Sequence, residues 1–234
     1  MATTEPRKSR PRGRPATGAA DGRHPLSRDA IVAAAIDLAD ESGESGLTMR
    51  KLAESLGYEV MSLYNHVANK SQLLDLMVEA VAAETPEPAE DLAPLEALRT
   101  FAIDSRAALE RHPWAANLLL RQMPGPVRIA HMELQLRLLA VSGLSPELAH
   151  HGYHAVNNHV VGYTLQHQAL LASMTEFAEE IEEFTRRLSN DDHPHVIEHV
   201  EQHRQGETGS SFELVLDFIL DGLRRLNEAD SRPT

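Results

Sequence analysis

The sequence predicts an all-α protein of about ten helices, and three observations support this fold class. Apolar residues recur at the helical spacing i, i+3, i+4 over nearly the whole chain after residue 25. Glycines and prolines interrupt this pattern where helices should end, as at Gly57, Pro113 and Gly143. No segment alternates apolar and polar residues in the manner of a half-buried strand. We therefore expect two helical domains, a small one at the N-terminus and a larger one after it.

Composition excludes several other classes of protein. The 234 residues are 42% hydrophobic, which is enough for a core, and only 4% aromatic. The chain has no cysteine, so disulfides and cysteine zinc sites are excluded. No apolar run approaches the ~20 residues of a membrane span, and the basic N-terminus lacks the apolar stretch of a signal peptide. We therefore expect a cytoplasmic protein that has no membrane partner.

Charge is distributed unevenly along the chain. Residues 1–28 hold seven Arg or Lys and two acidic residues, whereas residues 29–80 hold three basic and nine acidic residues. These two segments carry net charges of +5 and −6. The formal net charge of the whole chain is −13, so residues 81–234 carry −12. A protein this acidic does not resemble a general nucleic-acid binder. If it binds DNA, its positive field must be local, and the N-terminal arm is the obvious source.

Changes in composition divide the chain into an arm and two domains. Residues 1–24 are rich in Pro, Gly, Ala and Arg with almost no large apolar residue, so we expect a disordered basic arm. The first helical domain occupies residues 25–85. The acidic, proline-rich segment ETPEPAED over residues 84–91 marks the boundary. The second helical domain then occupies residues 92–228.

The segment Leu47–Leu74 contains two short helices joined by a tight turn. Thr48 is a good N-cap for the first helix, and Gly57 lies where its C-terminus needs a positive φ. The second helix directs Leu63 inward, and Asn69 caps the third helix. This order is the helix-turn-helix pattern, whose second helix enters the major groove of DNA.

Residues 48–74 carry the string T-M-R-K-L-A-x-x-L-G-x-x-x-x-S-L-Y-x-H-V-x-N-K-x-x-L-L. This string resembles the DNA-binding domain of the tetracycline-repressor (TetR) family of transcriptional regulators. Eleven residues fall on the family pattern in register: Thr48, Arg50, Leu52, Ala53, Leu56, Gly57, Leu63, Tyr64, His66, Lys70 and Leu73. The motif resemblance covers about residues 25–85, and beyond them it rests on helix order and the stretch VNNHVVGYTLQHQ.

The resemblance implies a regulator, most often a repressor, that binds a palindromic operator in double-stranded DNA as a homodimer and is released by a small-molecule effector. It also implies DNA contacts from the recognition helix, its tyrosine and the arginine before it, and helical geometry turns Asn65 outward as well. The predicted contacts are Thr48, Arg50, Val60, Met61, Ser62, Tyr64, Asn65, His66 and Lys70. Arg50 can donate two hydrogen bonds to a guanine, and Met61 can pack on thymine methyls. For Tyr64 and His66, the alternative to DNA contact is packing within the protein itself.

The basic arm supplies a further set of predicted DNA contacts. Its run Arg-Pro-Arg-Gly-Arg-Pro, with Arg10, Arg12 and Arg14, resembles arms that lie in the DNA minor groove. Extended arginines there respond to the width and negative potential of the groove. The alternative is that the arm is only a solubilising tail.

Helical periodicity places further elements along the chain. The predicted ranges are 26–43 and about 70–83 in the first domain, then about 92–111, 114–121, 126–141, 146–172, 174–188, 194–203 and 212–226 in the second. Residues 190–193 and 205–211 are predicted loops.

The second domain is expected to bind the effector between its first four helices, because helical bundles place ligand sites between helices. Candidate contacts are polar or large residues on mostly apolar helices: Trp114, Met123, His131, His154, Asn158, Gln166 and His167. The acidic charge of this domain favours a neutral or cationic, largely apolar ligand. No cofactor is expected.

The last helix is the predicted centre of the homodimer interface, together with the long helix that begins at residue 146. One side of it carries Phe212, Val215, Ile219, Gly222, Leu223 and Leu226. Gly222 would allow a partner helix to approach closely.

Two alternatives remain open on the sequence alone. A histidine-rich helical metalloenzyme is suggested by His150 and His154, which stand at i, i+4, although no carboxylate cluster accompanies them. An architectural DNA-binding protein without an effector is the second alternative. Neither a nucleophile elbow nor a phosphate-binding loop is present, so we predict that the protein is not an enzyme.

Overall fold

A computed structural model provides the structure, which describes residues 25–176, 178–189, 191–204 and 211–230. Eleven helices and no strand occur in these residues. The helices are α1 (Arg28–Gly46), α2 (Met49–Leu56), α3 (Val60–Tyr64), α4 (Lys70–Ala82), α5 (Pro94–Arg111), α6 (Pro113–Leu119), α7 (Pro126–Val141), α8 (Pro146–Glu176), α9 (Ala178–Arg186), α10 (Pro194–Arg204) and α11 (Phe212–Asp230). The all-α prediction is confirmed.

Helices α1 to α4 form the N-terminal domain, which we call the head. Helix α1 packs against α2 and α4, and α2 packs against α3. The side chains of Ile31, Leu52, Leu63, Leu73 and Met77 are completely buried between these helices. Because each short helix contributes only one or two anchors, the head depends on a few fully buried aliphatic residues.

Helices α5, α7, α8 and α11 form the frame of the C-terminal domain, which we call the body, and α6 packs against α5 and α8. Helices α8 and α11 approach closely at Gly152, where an added Cβ would lie 2.9 Å from Leu223 Cδ1. Helix α6 also packs against α1 and α4, and α7 packs against α4. The head and the body are therefore in direct contact.

Several predicted helix ends agree with the structure, and one prediction is wrong. Helix α7 has the predicted bounds, and the regular turns of α1 break at Gly43, whose φ is 70°. The predicted break between residues 172 and 174 does not occur, because α8 continues to Glu176. No glycine or proline stands between residues 163 and 188 to end a helix there. The arm, residue 190 and residues 205–210 lie outside the described residues.

None of the helices in the described ranges has the length and apolar character needed to cross a membrane.

Candidate DNA-binding surface and effector cavity

The helix-turn-helix is formed by α2 and α3 and is held by a cap, a glycine turn and one buried anchor. Thr48 Oγ1 accepts a hydrogen bond from the Lys51 backbone N–H at 3.2 Å, which caps α2 as predicted. Gly57 ends α2 with a φ of 72°, a conformation that glycine adopts without strain. Leu63 anchors α3 in the core. The other sides of α3 are therefore available for contacts outside the head.

The outward side of α3 carries Met61 and Tyr64, two of the residues predicted to contact DNA. Met61 is 73% exposed and Tyr64 is 41% exposed. Asn65, directly after α3, is exposed too. Val60 and Ser62 are half-buried. Met61 and Tyr64 therefore face outward, as the helical geometry predicted.

Two cations flank this surface, and each already has a partner within the head. Arg50 Nε donates a hydrogen bond to Glu54 Oε1 at 2.9 Å on the exposed side of α2. Lys70 Nζ donates to the backbone carbonyl of Leu47 at 2.7 Å, which fastens the start of α4 to the segment before α2. An arginine has five N–H donors and a lysine has three, so both retain the capacity to bind phosphate.

The remaining predicted DNA contacts are a histidine and the arginines of the arm. His66 is half-buried, and its backbone carbonyl accepts a hydrogen bond from Arg28 Nε at 3.3 Å. Arg10, Arg12 and Arg14 lie outside the described residues.

A cavity of about 280 Å³ lies where α4 meets α5, α6, α7 and α8. Its wall is mainly apolar, with contributions from Val78, Val81, Ala82, Phe101, Ala108, Leu109, Ala115, Leu119, Leu120, Pro124, Met132, Val160 and Val161. Its polar lining consists of Thr85, Ser105, Gln122, Arg128, His131, Gln135, Tyr153 and Asn157. An apolar wall with a few fixed polar groups is the usual composition of a small-molecule site.

Hydrogen bonds hold the polar groups of α7 and α8 in fixed orientations. Asn157 Nδ2 donates to Gln135 Oε1 at 2.9 Å and to the Tyr153 carbonyl at 2.8 Å. Gln135 Nε2 donates to the His131 carbonyl at 3.3 Å. The His131 ring meets the ring of Phe101 edge-on, with centroids 4.9 Å apart. These side chains are therefore positioned before any ligand arrives.

The cavity lining is close to electrically neutral. Burial lowers the pKa of the His131 imidazole and raises the pKa of the Tyr153 phenol, so both groups favour their uncharged forms. Among the described residues that line the cavity, Arg128 is the only lysine, arginine or acidic residue, and Glu79 neutralises it from α4. Such a lining offers hydrogen bonds without a net charge.

Of the seven residues predicted to contact an effector, the structure brings only His131 to this cavity. Met123 is 85% exposed, and His154, Asn158 and Gln166 are exposed on α8. Helix α8 instead directs Asn157 into the cavity, and one residue corresponds to a rotation of about 100° around a helix.

The other two predicted residues make contacts within the protein. Trp114 Nε1 donates to Asp40 Oδ1 at 2.6 Å, and His167 Nδ1 lies 3.6 Å from Glu110 Oε1. The residues that the sequence argument missed include Gln135, Tyr153 and Asn157. A sequence signal was available for Gln135, because it stands four residues after His131, a predicted effector contact, and so lies on the same side of α7.

One polar joint between the head and the body centres on Glu79 of α4. Its carboxylate accepts hydrogen bonds from the backbone N–H groups of Gly125, Val127 and Arg128, at 3.0, 2.7 and 3.4 Å. Arg128 Nε adds an ion pair at 2.5 Å. Burial by itself would raise the pKa of Glu79, but the Arg128 guanidinium and the three N–H groups outweigh burial and lower it. The carboxylate is therefore held in its charged form.

A second joint centres on His112, which is buried between two carboxylates. Its Nδ1 lies 2.9 Å from Asp40 Oδ1 of α1, and its Nε2 lies 3.0 Å from Glu84 Oε1, just after α4. Arg111 also binds Glu84, at 2.7 Å. The His112 ring, at the start of α6, therefore links α1 to the segment that follows α4.

Helix α11 has two apolar sides, and the predicted interface residues divide between them. Phe212 and Leu223 are only 2% and 6% exposed, because they pack into the protomer's own core; their assignment to a dimer interface is corrected. Leu226 is 55% exposed. Val215, Ile219 and Gly222 are intermediate. The outward side also carries Leu214 and Phe218, 51% and 64% exposed, which the prediction had not included.

Comparison with known proteins gives two family matches that together span most of the chain. Residues 31–77 match the bacterial regulatory proteins of the tetR family. Residues 85–226 match the tetracyclin repressor-like C-terminal domain. The first match covers the helix-turn-helix, and the second covers most of the cavity lining and α11 as far as residue 226.

Individual proteins are similar over shorter or longer parts of the chain. The HTH-type transcriptional repressor DrrR1 of Streptomyces coeruleorubidus is 39% identical over 139 residues, which are 56% of this chain and 52% of DrrR1. The tetracycline repressor protein class D of Escherichia coli is 34% identical over 154 residues, 64% of this chain and 71% of that protein. The chain thus spans about half the length of DrrR1.

Among solved structures, the TetR family protein ActR of Streptomyces coelicolor, in complex with actinorhodin, superposes with a TM-score of 0.70. It is 29% identical, and the match covers 87% of this chain and 99% of ActR. All of these proteins are regulators, which disfavours both the metalloenzyme and the architectural alternatives. Because the helix-turn-helix, the cavity-containing body and both family matches agree, the chain belongs to the TetR family of bacterial transcriptional regulators.

Proposed function

We propose that this protein is a repressor that binds an inverted-repeat operator as a homodimer and leaves it when a small molecule fills the cavity. The observation that carries the proposal is the position of α4. This helix is fastened to the helix-turn-helix through Lys70 and supplies Val78, Val81 and Ala82 to the cavity wall. A ligand in the cavity therefore touches the same rigid element that positions the recognition helix.

The lining indicates the class of ligand. Apolar side chains dominate, His131 and Phe101 offer ring surfaces, and the amides of Gln135 and Asn157 offer fixed polar groups. A cation would meet Arg128, and an anion would have to compete with Glu79 for it. We therefore propose a neutral, flat, largely apolar molecule that carries a few oxygen atoms. ActR, to which this chain is similar, was solved in complex with actinorhodin, so actinorhodin is one of the compounds to test.

The outward side of α11 is the proposed centre of the dimer interface. Leu214, Phe218 and Leu226 are exposed there, and a Cβ added at Gly222 would meet no atom of the described part of the protomer within 4 Å. A second copy of the chain would bury this apolar surface, and a two-fold dimer would present two recognition helices to an inverted repeat. Phe218→Asp is therefore the substitution expected to give monomers with little operator affinity, since it leaves the protomer core untouched.

The test begins with selection of binding sites from random duplex DNA by the full chain, which should enrich an inverted repeat. The selected duplex is then titrated with protein in the presence of actinorhodin and a panel of uncharged polycyclic aromatic compounds. A ligand that raises the melting temperature should also weaken operator binding. Failure to enrich any sequence, or stabilising ligands that leave operator affinity unchanged, would contradict the proposal.

A matched pair of variants makes the ligand test specific for the cavity. Val161→Phe adds volume to a residue of the cavity wall, so it should abolish the response to ligand while operator binding persists. Val141→Phe makes the same change at a residue that is 64% exposed and should preserve the response. Equal ligand responses in the two variants would place the ligand elsewhere.

A further inference from the structure

We propose that Glu79 is the positioning residue that couples the cavity to the DNA-binding head, acting as a latch whose release is controlled by Arg128. The inference rests on the proposed function, because it specifies how occupancy of the cavity reaches the head. Glu79 belongs to α4, and the groups that hold its carboxylate belong to the first turn of α7 and to the cavity wall.

The latch is built around one helix end. Glu79 satisfies backbone N–H groups in the first turn of α7, which have no partner within that helix, and its negative charge is favoured at a helix N-terminus. The side chains of Glu79 and Arg128 are only 14% and 11% exposed, so water competes weakly for either group. The carboxylate therefore fixes the position of α4 relative to α7.

Gly125 is the residue that allows this approach. A Cβ placed there would lie 2.6 Å from Glu79 Cδ and 2.8 Å from its Oε2. Any larger residue would push the carboxylate away from the end of α7. The glycine is thus required by contact rather than by its backbone angles.

Arg128 links the latch to the cavity. Its guanidinium pairs with Glu79, and it also donates to the backbone carbonyls of Gln122, at 3.3 Å, and Met123. Gln122, Pro124 and Arg128 all line the cavity. A ligand that contacts the part of the cavity formed by Gln122, Pro124 and Arg128 would displace or attract the guanidinium. Either movement would weaken or strengthen the ion pair of Arg128 with Glu79.

The far end of α4 converts that change into movement of the head. Lys70, at its first turn, is bonded to the Leu47 carbonyl beside the helix-turn-helix. Leu73, Met77 and Val78 fix the same helix in the shared core. Since α4 is one continuous helix from Lys70 to Ala82, a shift at Glu79 is carried without a hinge to Lys70, which is bonded to the segment before the helix-turn-helix.

The experiment is a double-substitution cycle on the full chain with Arg128→Ala, Glu79→Gln and the combination. Hydrogen exchange is followed by mass spectrometry in α7 and the head, and operator affinity is measured in parallel. We expect Arg128→Ala to increase exchange in the first turn of α7 and in α3 and α4, and to weaken operator binding about tenfold. In the Glu79→Gln background the same substitution should add little, because the latch is already released.

Glu133→Gln is the matched control, since it makes the same chemical change at an exposed residue of α7. It should leave exchange in the head and operator affinity unchanged. Arg128→Lys keeps the charge and serves as the folded comparison if Arg128→Ala lowers the melting temperature below the range of the assay. Partial retention of coupling in Arg128→Lys would support the latch.

If hydrogen exchange in the Arg128→Ala variant increases only in α7 and is unchanged in the head, the ion pair merely stabilises α7. That result would overturn the inference. Independent, multiplicative effects of the two substitutions would overturn it as well. If the wild-type chain selects no operator, the proposed function fails. Faster hydrogen exchange in α3 of the Arg128→Ala variant would still support coupling between the cavity and the head. The two failures are therefore distinguishable.

Discussion

The head and the body are both helical, but their interiors are built differently. In the head, Ile31, Leu52 and Leu63 are completely buried aliphatic residues. The body buries Gln135 and Thr164 as well, and it forms, together with α4, a cavity of about 280 Å³. A close-packed interior has few alternative arrangements, whereas a cavity lined by hydrogen-bonded polar groups can be rearranged by a ligand. We therefore expect the head to move as a rigid unit and the body to be the part that adapts.

The joints between the two regions follow from this difference. Two directional polar contacts connect the head to the body: the ion pair of Glu79 with Arg128, and the hydrogen bond between His112 and Asp40. A buried ion pair adds little to stability compared with an apolar contact of equal size, but breaking one partner is costly. Contacts of this kind therefore hold the head and the body in one relative position until one of the partners is displaced.

The largest expected effect tests the rigidity of the head. Leu63→Ala removes the single buried anchor of α3 and should lower the free energy of unfolding by about 2–5 kcal/mol. The control Leu120→Ala, at a residue of the cavity rim that is 68% exposed, should change it by less than about 0.5 kcal/mol. Urea unfolding followed by circular dichroism measures both values. Similar losses from the two substitutions would contradict the proposed contrast.

The same contrast explains which features could be predicted from the sequence. In the head, Thr48, Leu63 and Gly57 act through their immediate neighbours, by capping, anchoring and adopting a positive φ. Local signals of that kind are visible in a single sequence. They indicated the helix order of the head and the outward direction of Met61 and Tyr64, which the structure reproduces.

In the body the informative contacts are distant in sequence, and the predictions there were less accurate. Helix α11 is apolar on two sides, so periodicity could not decide whether Phe212 or Phe218 faces the protomer core. Asn157 and Asn158 are adjacent amides on α8, and only the packing of α7 decides which one reaches the cavity. Glu79 carried no sequence signal, because its partners stand 46 to 49 residues later.

The next largest effect concerns base recognition by the head. Arg50→Ala should cost about 1–3 kcal/mol of operator binding per half-site and relax a guanine preference, because Arg50 is the only arginine in the sequence of the helix-turn-helix. The control Arg137→Ala, at an exposed residue of α7, should have no effect. Binding-site selection with each variant is the measurement. Recovery of the wild-type motif by Arg50→Ala would show that Glu54 holds this arginine away from DNA.

A smaller effect distinguishes the basic arm from the acidic remainder of the protein. Removal of residues 1–24 deletes six Arg or Lys residues. Every phosphate that the arm no longer neutralises should reduce the slope of log affinity against log salt by roughly 0.9, and affinity should fall for specific and random DNA alike. Ligand affinity should not change, because the residues that line the cavity all lie after residue 77. An unchanged salt slope would identify the arm as a passive tail.

The smallest expected effect on stability tests the adaptability of the body. Gln135→Leu keeps the approximate volume but removes the amide that accepts from Asn157. Asn157 still donates to the Tyr153 carbonyl, so its amide group is not left wholly without a partner. A net hydrogen bond contributes about 1 kcal/mol, and the added apolar burial offsets part of that loss, so the melting temperature should change little.

Ligand recognition should change more than stability. The preference for a hydroxyanthraquinone over anthracene, measured by fluorescence titration, should fall about fivefold in Gln135→Leu. Gln166→Leu makes the same change on the exposed side of α8 and should preserve the preference. If Gln135→Leu lowers the melting temperature strongly but leaves ligand preference intact, the polar lining is structural, and the body is as rigid as the head.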